Sequence, residues 1–217
     1  MDITCIADLH GFRPELEGGD LLIVAGDLTK RDTFEEHLDA WQWLVNQSYK
    51  RIVLIAGNHD NFTQSHDGHG LITHWGPRLT YLCDSGTEFE GLKIWGSPWT
   101  SAFEGMNPKC MAFTVDEEEE LAAKWAWIPH DMDILITHSP PYGILDEVES
   151  DEHCTSYKVG SRSLFAWLNY VGRPRLHVFG HIHGGYGQLH DGTTHFVNAS
   201  LLDERYRPVN QPIVVEL

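Results

Sequence analysis

Five apolar runs, each of strand length and each stopping on aspartate, asparagine or histidine, constrain this chain more than any other feature. Ile3 to Ala7 ends in Asp8, with His10 beside it, and Leu21 to Ala25 ends in Gly26-Asp27. Ile52 to Ala56 runs into Gly57-Asn58-His59-Asp60. Ile134 to Thr137 ends in His138, and Leu176 to Phe179 in Gly180-His181-Ile182-His183. Short apolar runs rich in β-branched residues and closed by small ones read as buried strands. In an α/β protein such strands deliver their next residues into the crevice beyond the carboxyl ends of the sheet. Neighbouring strand ends lie about 5 Å apart, so polar residues spread from position 8 to position 183 can converge on one small volume. Asp, Asn and His in that mixture form a metal-ligand set.

Between these strands the pattern predicts helices. Thr33 and Glu36 have the spacing of a capping box for a helix from Thr33 to Asn46, with Leu38, Trp41 and Val45 on one face. Thr114 and Glu117 repeat it before Val115 to Trp127, where glutamates 117 to 120 suit a helix N-terminus. A third helix is predicted over Ser161 to Tyr170, with Leu164, Phe165 and Leu168 inward. Strands at Leu79 to Leu82, Leu92 to Trp95, Thr194 to Val197 and Ile213 to Glu216 have no helix between the members of each pair. They therefore read as antiparallel additions to a parallel core. Asn61 to Gly76 and Tyr142 to Val159 read as loops shaping substrate access.

The 217 residues suffice for one domain spanning 1–217. No window approaches the roughly 18 consecutive apolar residues of a membrane span. Cys5, Cys83, Cys110 and Cys154 lack C-x-x-C spacing, so neither a zinc ribbon nor a disulfide scaffold is expected. The first apolar run already carries a site residue, which argues against a cleaved leader and, with the cysteines, for a cytoplasmic protein. A net charge of −17 and no basic stripe argue against a long nucleic acid as partner. A small phosphate ester stays compatible, because divalent cations reverse the field locally.

Asp8-x-His10, Gly26-Asp27, Gly57-Asn58-His59-Asp60, Ile136-Thr137-His138 and Gly180-His181-x-His183 resemble, in order, the five sequence blocks of the calcineurin-like metallophosphoesterases. A closer resemblance, to the MPPED-type proteins and class III cyclic nucleotide phosphodiesterases, is carried by Gly96-Ser97-Pro98-Trp99-Thr100, Asp133 to Pro141, His177 to Gly187 and Asn198-Ala199-Ser200. The resemblance implies an α/β fold of two mixed sheets packed as a sandwich between helices. It implies Asp8, His10, Asp27 and His183 on one divalent metal and Asp27, Asn58, His138 and His181 on the other, with Asp27 bridging. Oxygen and imidazole donors suit Mn²⁺ foremost, or Fe²⁺ or Zn²⁺. Activated water would be the nucleophile, which leaves His59 to protonate the leaving alkoxide and Asp60 to orient it.

The substrate implied is a small phosphodiester, with 2′,3′- or 3′,5′-cyclic AMP as candidates for a monomer or homodimer. Arg31 follows Asp27 where related protein phosphatases carry a phosphate-clamping arginine, but Ala56 stands where they have a second, which disfavours a monoester dianion. Phosphomonoesterase or nuclease chemistry and a non-catalytic nucleotide-binding scaffold are the alternatives. Tyr186, just after the last block, is a candidate for stacking on a base, against a packed ring with a bonded hydroxyl. His66, His69, His74, His153, His190 and His195 read as surface or packing residues.

Overall fold

The computed structural model describes residues 1–103, 105–149 and 156–217. Two sheets carry the chain. The first has five strands in the order Ile213–Glu216, Asp2–Ile6, Gly19–Ala25, Tyr49–Ile55, Leu79–Tyr81. The second has six: Gly187–His190, His195–Asn198, Leu176–Phe179, Ile134–Thr137, Leu92–Ser97, Ser85–Phe89.

Period-two alternation in the first sheet explains the layering. Ile3, Cys5, Leu21, Ile23, Val53 and Ile55 face one way and meet Ile94, Ile134, Ile136, Leu176, Val178 and Val197 of the second sheet. Ile6, Leu22, Val24, Ile52 and Leu54 face the other way, onto Ala40, Trp41 and Leu44 of the helix Phe34–Val45. The outer face of the second sheet, through Leu135, Phe179 and Phe196, packs on the helices Glu118–Trp125 and Arg162–Tyr170. Helix, sheet, sheet, helix is the predicted sandwich.

Strand direction departs from expectation at three places. Leu79–Tyr81 runs parallel to Tyr49–Ile55, Leu92–Ser97 parallel to Ile134–Thr137, and His195–Asn198 parallel to Leu176–Phe179. The antiparallel members are Ile213–Glu216, Ser85–Phe89 and Gly187–His190, all at sheet edges. The reason lies partly in the segment expected as a loop at 61–76. It folds into the helices Asn61–Gln64 and His66–Thr73, which supply the crossover that a parallel partner needs.

The helix caps also shift. Thr33 accepts the Glu36 N–H at 3.2 Å as expected, but the Glu36 carboxylate turns to the backbone N–H groups of Lys30 and Arg31. The second helix starts three residues later than predicted. Glu117 is its N-cap, with the Glu120 carboxylate accepting the N–H groups of Asp116 and Glu117, while Thr114 lies in the short strand Thr114–Val115. On the third helix Trp167 takes an inward place and Phe165 is exposed. No helix among the described residues is long and apolar enough to cross a membrane. Cys5, Cys83 and Cys110 are free thiols. The segment expected as a loop at 142–159 carries an antiparallel pair, Glu147–Glu149 with Ser156–Lys158, while Cys154, His153 and its other residues from 150 to 155 lie outside the described residues.

Candidate metal centre

All five blocks meet where the carboxyl ends of the two sheets come together. Asp8, Asp27 and Asn58 follow three adjacent strands of the first sheet, and His138 and His181 follow two adjacent strands of the second. The backbone turns sharply there. Asp8, His10, Asp27 and His181 hold φ angles of +52°, +40°, +54° and +69°, a left-handed region that costs a side-chain-bearing residue energy and gathers at functional sites.

Small residues in the motifs make room. A Cβ on Gly180 would strike Asp8 Oδ2 and come within 2.6 Å of the Ala7 Cβ, and one on Gly57 would strike Asp27 Oδ1. The Gly-Asn and Gly-His pairs are therefore steric requirements of the cluster.

Hydrogen bonds hold each donor. Asp8 Oδ2 accepts the His181 N–H at 2.9 Å and the Ser200 hydroxyl, which leaves Asp8 Oδ1 buried without a partner, 3.7 Å from His183 Nε2. Asp27 Oδ1 accepts the His59 N–H at 2.9 Å, while Oδ2 lies 3.5 Å from His138 Nε2 and 3.7 Å from His10 Nε2. His138 Nδ1 donates to the Ala25 carbonyl and His183 Nδ1 to the Asp203 carbonyl, each at 2.9 Å, so each Nε2 is the atom turned to the carboxylates. Asn58 Oδ1 sits 3.0 Å from both His138 Nε2 and His181 Nδ1, its amide anchored on the Cys110 carbonyl.

These donors fit a pair of divalent cations. Asp8, His10 and His183 present ligand atoms within 4.8 Å of one another, and so do Asp8, Asp27 and His138. A buried carboxylate oxygen that accepts no hydrogen bond is a seat for a cation. The mixed oxygen and imidazole set, without a thiolate, suits borderline metals in an open site. His59 joins His10 and Asp27 in a third such group. It is half-buried, its ring edge-on to His10 at 4.5 Å.

Without metal the site balances its own charge. Burial disfavours a charged His138, but the Asp27 carboxylate overrides it and raises the imidazole to about 9. Burial and the Asp8 carboxylate act in the same opposed way on His183, also to about 9. His10 and His181 are dominated by burial, which lowers them to about 4 and about 3. Despite burial, His183 holds Asp8 down at about 2. Metal must displace protons from His138 and His183, so Mn²⁺ affinity should rise with pH from 6 to 9. By the same sign, the two protonated imidazoles stabilise the metal-free fold below about 6.5, and that contribution is lost as pH rises through about 9. Calorimetric titration with Mn²⁺ across this range, paired with melting curves of the metal-free protein, checks both; a flat affinity would refute the proton competition.

Two expected roles change. Asp60 does not bond His59: its carboxylate accepts the backbone N–H groups of Asp27, Gly57 and Leu28, at 3.0, 2.9 and 3.2 Å. It braces the turns carrying two ligand blocks, and burial, then Asp27, raise it to about 6. The Tyr186 hydroxyl donates to the Gln211 carbonyl while the ring packs at the edge of the inter-sheet core. Tyr186 also lines the recess beside His183. Among the remaining histidines, His66, His69, His74 and His190 are exposed and His195 half-buried, as expected.

Residues absent from the sequence reading also shape the centre. Asp203 acts through its carbonyl on His183, while its carboxylate accepts the N–H groups of Arg205 and Arg207. That turn carries Tyr206, at φ +58°, whose ring stands edge-on to His10 at 4.8 Å and to His183 at 5.3 Å. No motif marks either residue.

A family model described as calcineurin-like phosphoesterase matches residues 1–185. The chain belongs to this family of metal-dependent phosphoester hydrolases. It is 36% identical over 237 residues to Metallophosphoesterase domain-containing protein 1 of Homo sapiens, covering 99% of this chain and 70% of that protein. A UPF0046 protein of Caenorhabditis elegans is 30% identical over 99% of this chain and 80% of its own length. A probable rhamnogalacturonate lyase C of Emericella nidulans matches at 37% identity across 86% of this chain, but across only 17% of that protein. A solved structure with 13% identity superposes with a TM-score of 0.64 over 91% of this chain and 89% of the other, which supports the fold.

Proposed function

We propose that this chain is a two-metal phosphodiesterase acting on small phosphodiesters, cyclic nucleotides among them. The observation that carries the reading is the unpartnered, buried Asp8 Oδ1 at the edge of a set that also holds Asp27, Asn58 and four imidazoles. Asp8, His10, Asp27 and His183 would hold one cation and Asp27, Asn58, His138 and His181 the other, with manganese as the first choice. Such a pair supplies Lewis-acid polarisation of the phosphoryl group and lowers the pKa of a water towards about 7.

The chain's own residues do the rest. Backbone carbonyls at Ala25 and Asp203 fix the two Nδ1 protons, so His138 and His183 offer their Nε2 atoms inward. Ser200 and the His181 N–H hold one oxygen of Asp8 and thereby aim the other. As water oxygen bonds to phosphorus, the ester P–O bond breaks in line, and His59 gives a proton to the departing alkoxide. Asp27 positions His59 through its backbone N–H. A diester is favoured over a monoester because Ala56 replaces one arm of a bidentate arginine clamp. Arg31 lines a recess beside His10 together with Glu36 and Asp39, and its backbone N–H donates to the Glu36 carboxylate.

Manganese-loaded protein should hydrolyse bis-p-nitrophenyl phosphate faster than the mono-ester and lose turnover in EDTA; a monoester preference would defeat the reading. His59→Ala should cost about 10²-fold or more on alkyl esters. On p-nitrophenyl esters, whose leaving group needs no proton, the cost should be about tenfold or less. Equal losses on both would deny His59 the role of acid.

A further inference from the structure

Three recesses open off the ligand cluster, and they differ in chemistry. The one beside His183 is lined by Glu147, Glu149, Asp203 and Glu204 with Arg205 and Arg207. The one beside His10 mixes Arg13, Lys30 and Arg31 with Glu36 and Asp39. The third is a cavity of about 550 Å³ beside His181, and among the described residues no Asp, Glu, Lys or Arg lines it. Ala102, Phe103, Val148, Tyr157, Val159 and Ile182 line it, with hydroxyls at Thr100, Ser101 and Ser139.

Two facts join this cavity to the chemistry. His181, one of the cluster's imidazoles, is part of its wall, and the Phe103 ring stands edge-on to that imidazole at 6.5 Å. Phe103 and Tyr157 are 58% and 54% exposed, an unusual state for large rings facing a recess. A group attached to a phosphorus held at the cluster reaches this recess directly. The described residues of this wall offer a charged group no counter-charge, whereas a flat ring would bury its apolar faces against the aromatic and aliphatic side chains.

We infer that the Phe103–Tyr157 cavity seats a flat, uncharged heteroaromatic ring of the substrate, of nucleobase type. The assignment rests on the phosphodiesterase reading for the placement of phosphorus and adds where the organic group goes. It places base stacking at Phe103 and Tyr157, across the hairpin Glu147–Glu149/Ser156–Lys158 from the recess that Tyr186 lines. Stacking on ring faces discriminates weakly among bases, so the cavity selects for the presence of a base over its identity.

Calorimetry on the manganese-loaded protein with AMP and with ribose 5-phosphate isolates the ring, since both carry the same sugar phosphate. AMP should bind about tenfold tighter or better, and Phe103→Ala or Tyr157→Ala should bring it close to ribose 5-phosphate, whose own affinity stays put. Both side chains are exposed, so retained ribose 5-phosphate binding also reports an intact fold. Equal affinities in the wild type would overturn the inference. So would an AMP advantage surviving in both variants, or a variant losing both ligands together. Failure of the phosphodiesterase reading would appear separately, as absent ester turnover with the nucleotide preference intact.

Discussion

Asp27→Ala is expected to lower turnover of bis-p-nitrophenyl phosphate by about 10³-fold or more and to leave less than the full complement of bound manganese. Its Oδ2 stands between His138 Nε2, at 3.5 Å, and His10 Nε2, at 3.7 Å, so one carboxylate belongs to both halves of the cluster. Its Oδ1 accepts the His59 N–H, so truncation also frees the segment carrying the proposed acid. The fold should survive. Asp60, buried nearby and pushed up to about 6 by burial and by Asp27, is relieved of a like charge, which offsets the ion pair lost to His138. Metal analysis, circular dichroism and turnover on one preparation separate these effects. A folded variant with less than a tenfold loss would end the bridging role.

How much of this was legible beforehand depended on whether a residue's own chemistry or its backbone carried the information. Asp8, His10, Asp27, Asn58, His138, His181 and His183 were legible because each ends or closely follows a buried strand, and the resemblance of the five blocks marked them as ligands. The two packed sheets were implied by the resemblance of the five blocks, and strands without intervening helices pointed to a mixed sheet. The helix His66–Thr73 was not: two glycines in its eight residues argue against it locally. It forms because Ser65 caps it and Ile72 buries against the layer around Trp41. Mistaking that crossover for a loop also reversed the expected direction of Leu79–Tyr81. Asp60 misled for a different reason. Its neighbour in sequence is His59, but its partners are three N–H groups, which any residue could have offered. Asp203 acts on His183 through a carbonyl, a contribution no side-chain pattern can announce. Tyr206 reaches the cluster only because the Asp203 carboxylate closes the turn that carries it.

Gly57→Ala should nearly match the loss of a ligand although it removes no donor. Alanine's backbone fits there, because Gly57, unlike Gly26, does not occupy the left-handed region. The added methyl is the whole perturbation. It would meet Asp27 Oδ1 and lie 2.6 Å from His138 Cε1 and 2.7 Å from His138 Nε2, closer than carbon atoms approach any neighbour without something shifting. Neither partner yields cheaply. Asp27 Oδ1 is bonded to the His59 N–H, and the His138 ring is tied through Nδ1 to the Ala25 carbonyl in a fully buried site. Displacing Asp27 by a fraction of an ångström misplaces the proposed shared ligand, and displacing His138 misplaces a proposed ligand of one cation. Turnover should fall by about 10²-fold or more, as misplacement by about 1 Å does in well-ordered sites. Overpacking should cost about 1–3 kcal/mol of stability. Gly70→Ala supplies the control: its added carbon meets nothing within 4 Å and sits inside a helix, so it should stabilise by about 0.5–1 kcal/mol with turnover unchanged. Denaturant melts and manganese titrations of the two variants, side by side, make the comparison. A Gly57→Ala protein as active as its parent would mean the carboxylate and the imidazole are free to move, and with that freedom a preorganised cluster would no longer account for the chemistry.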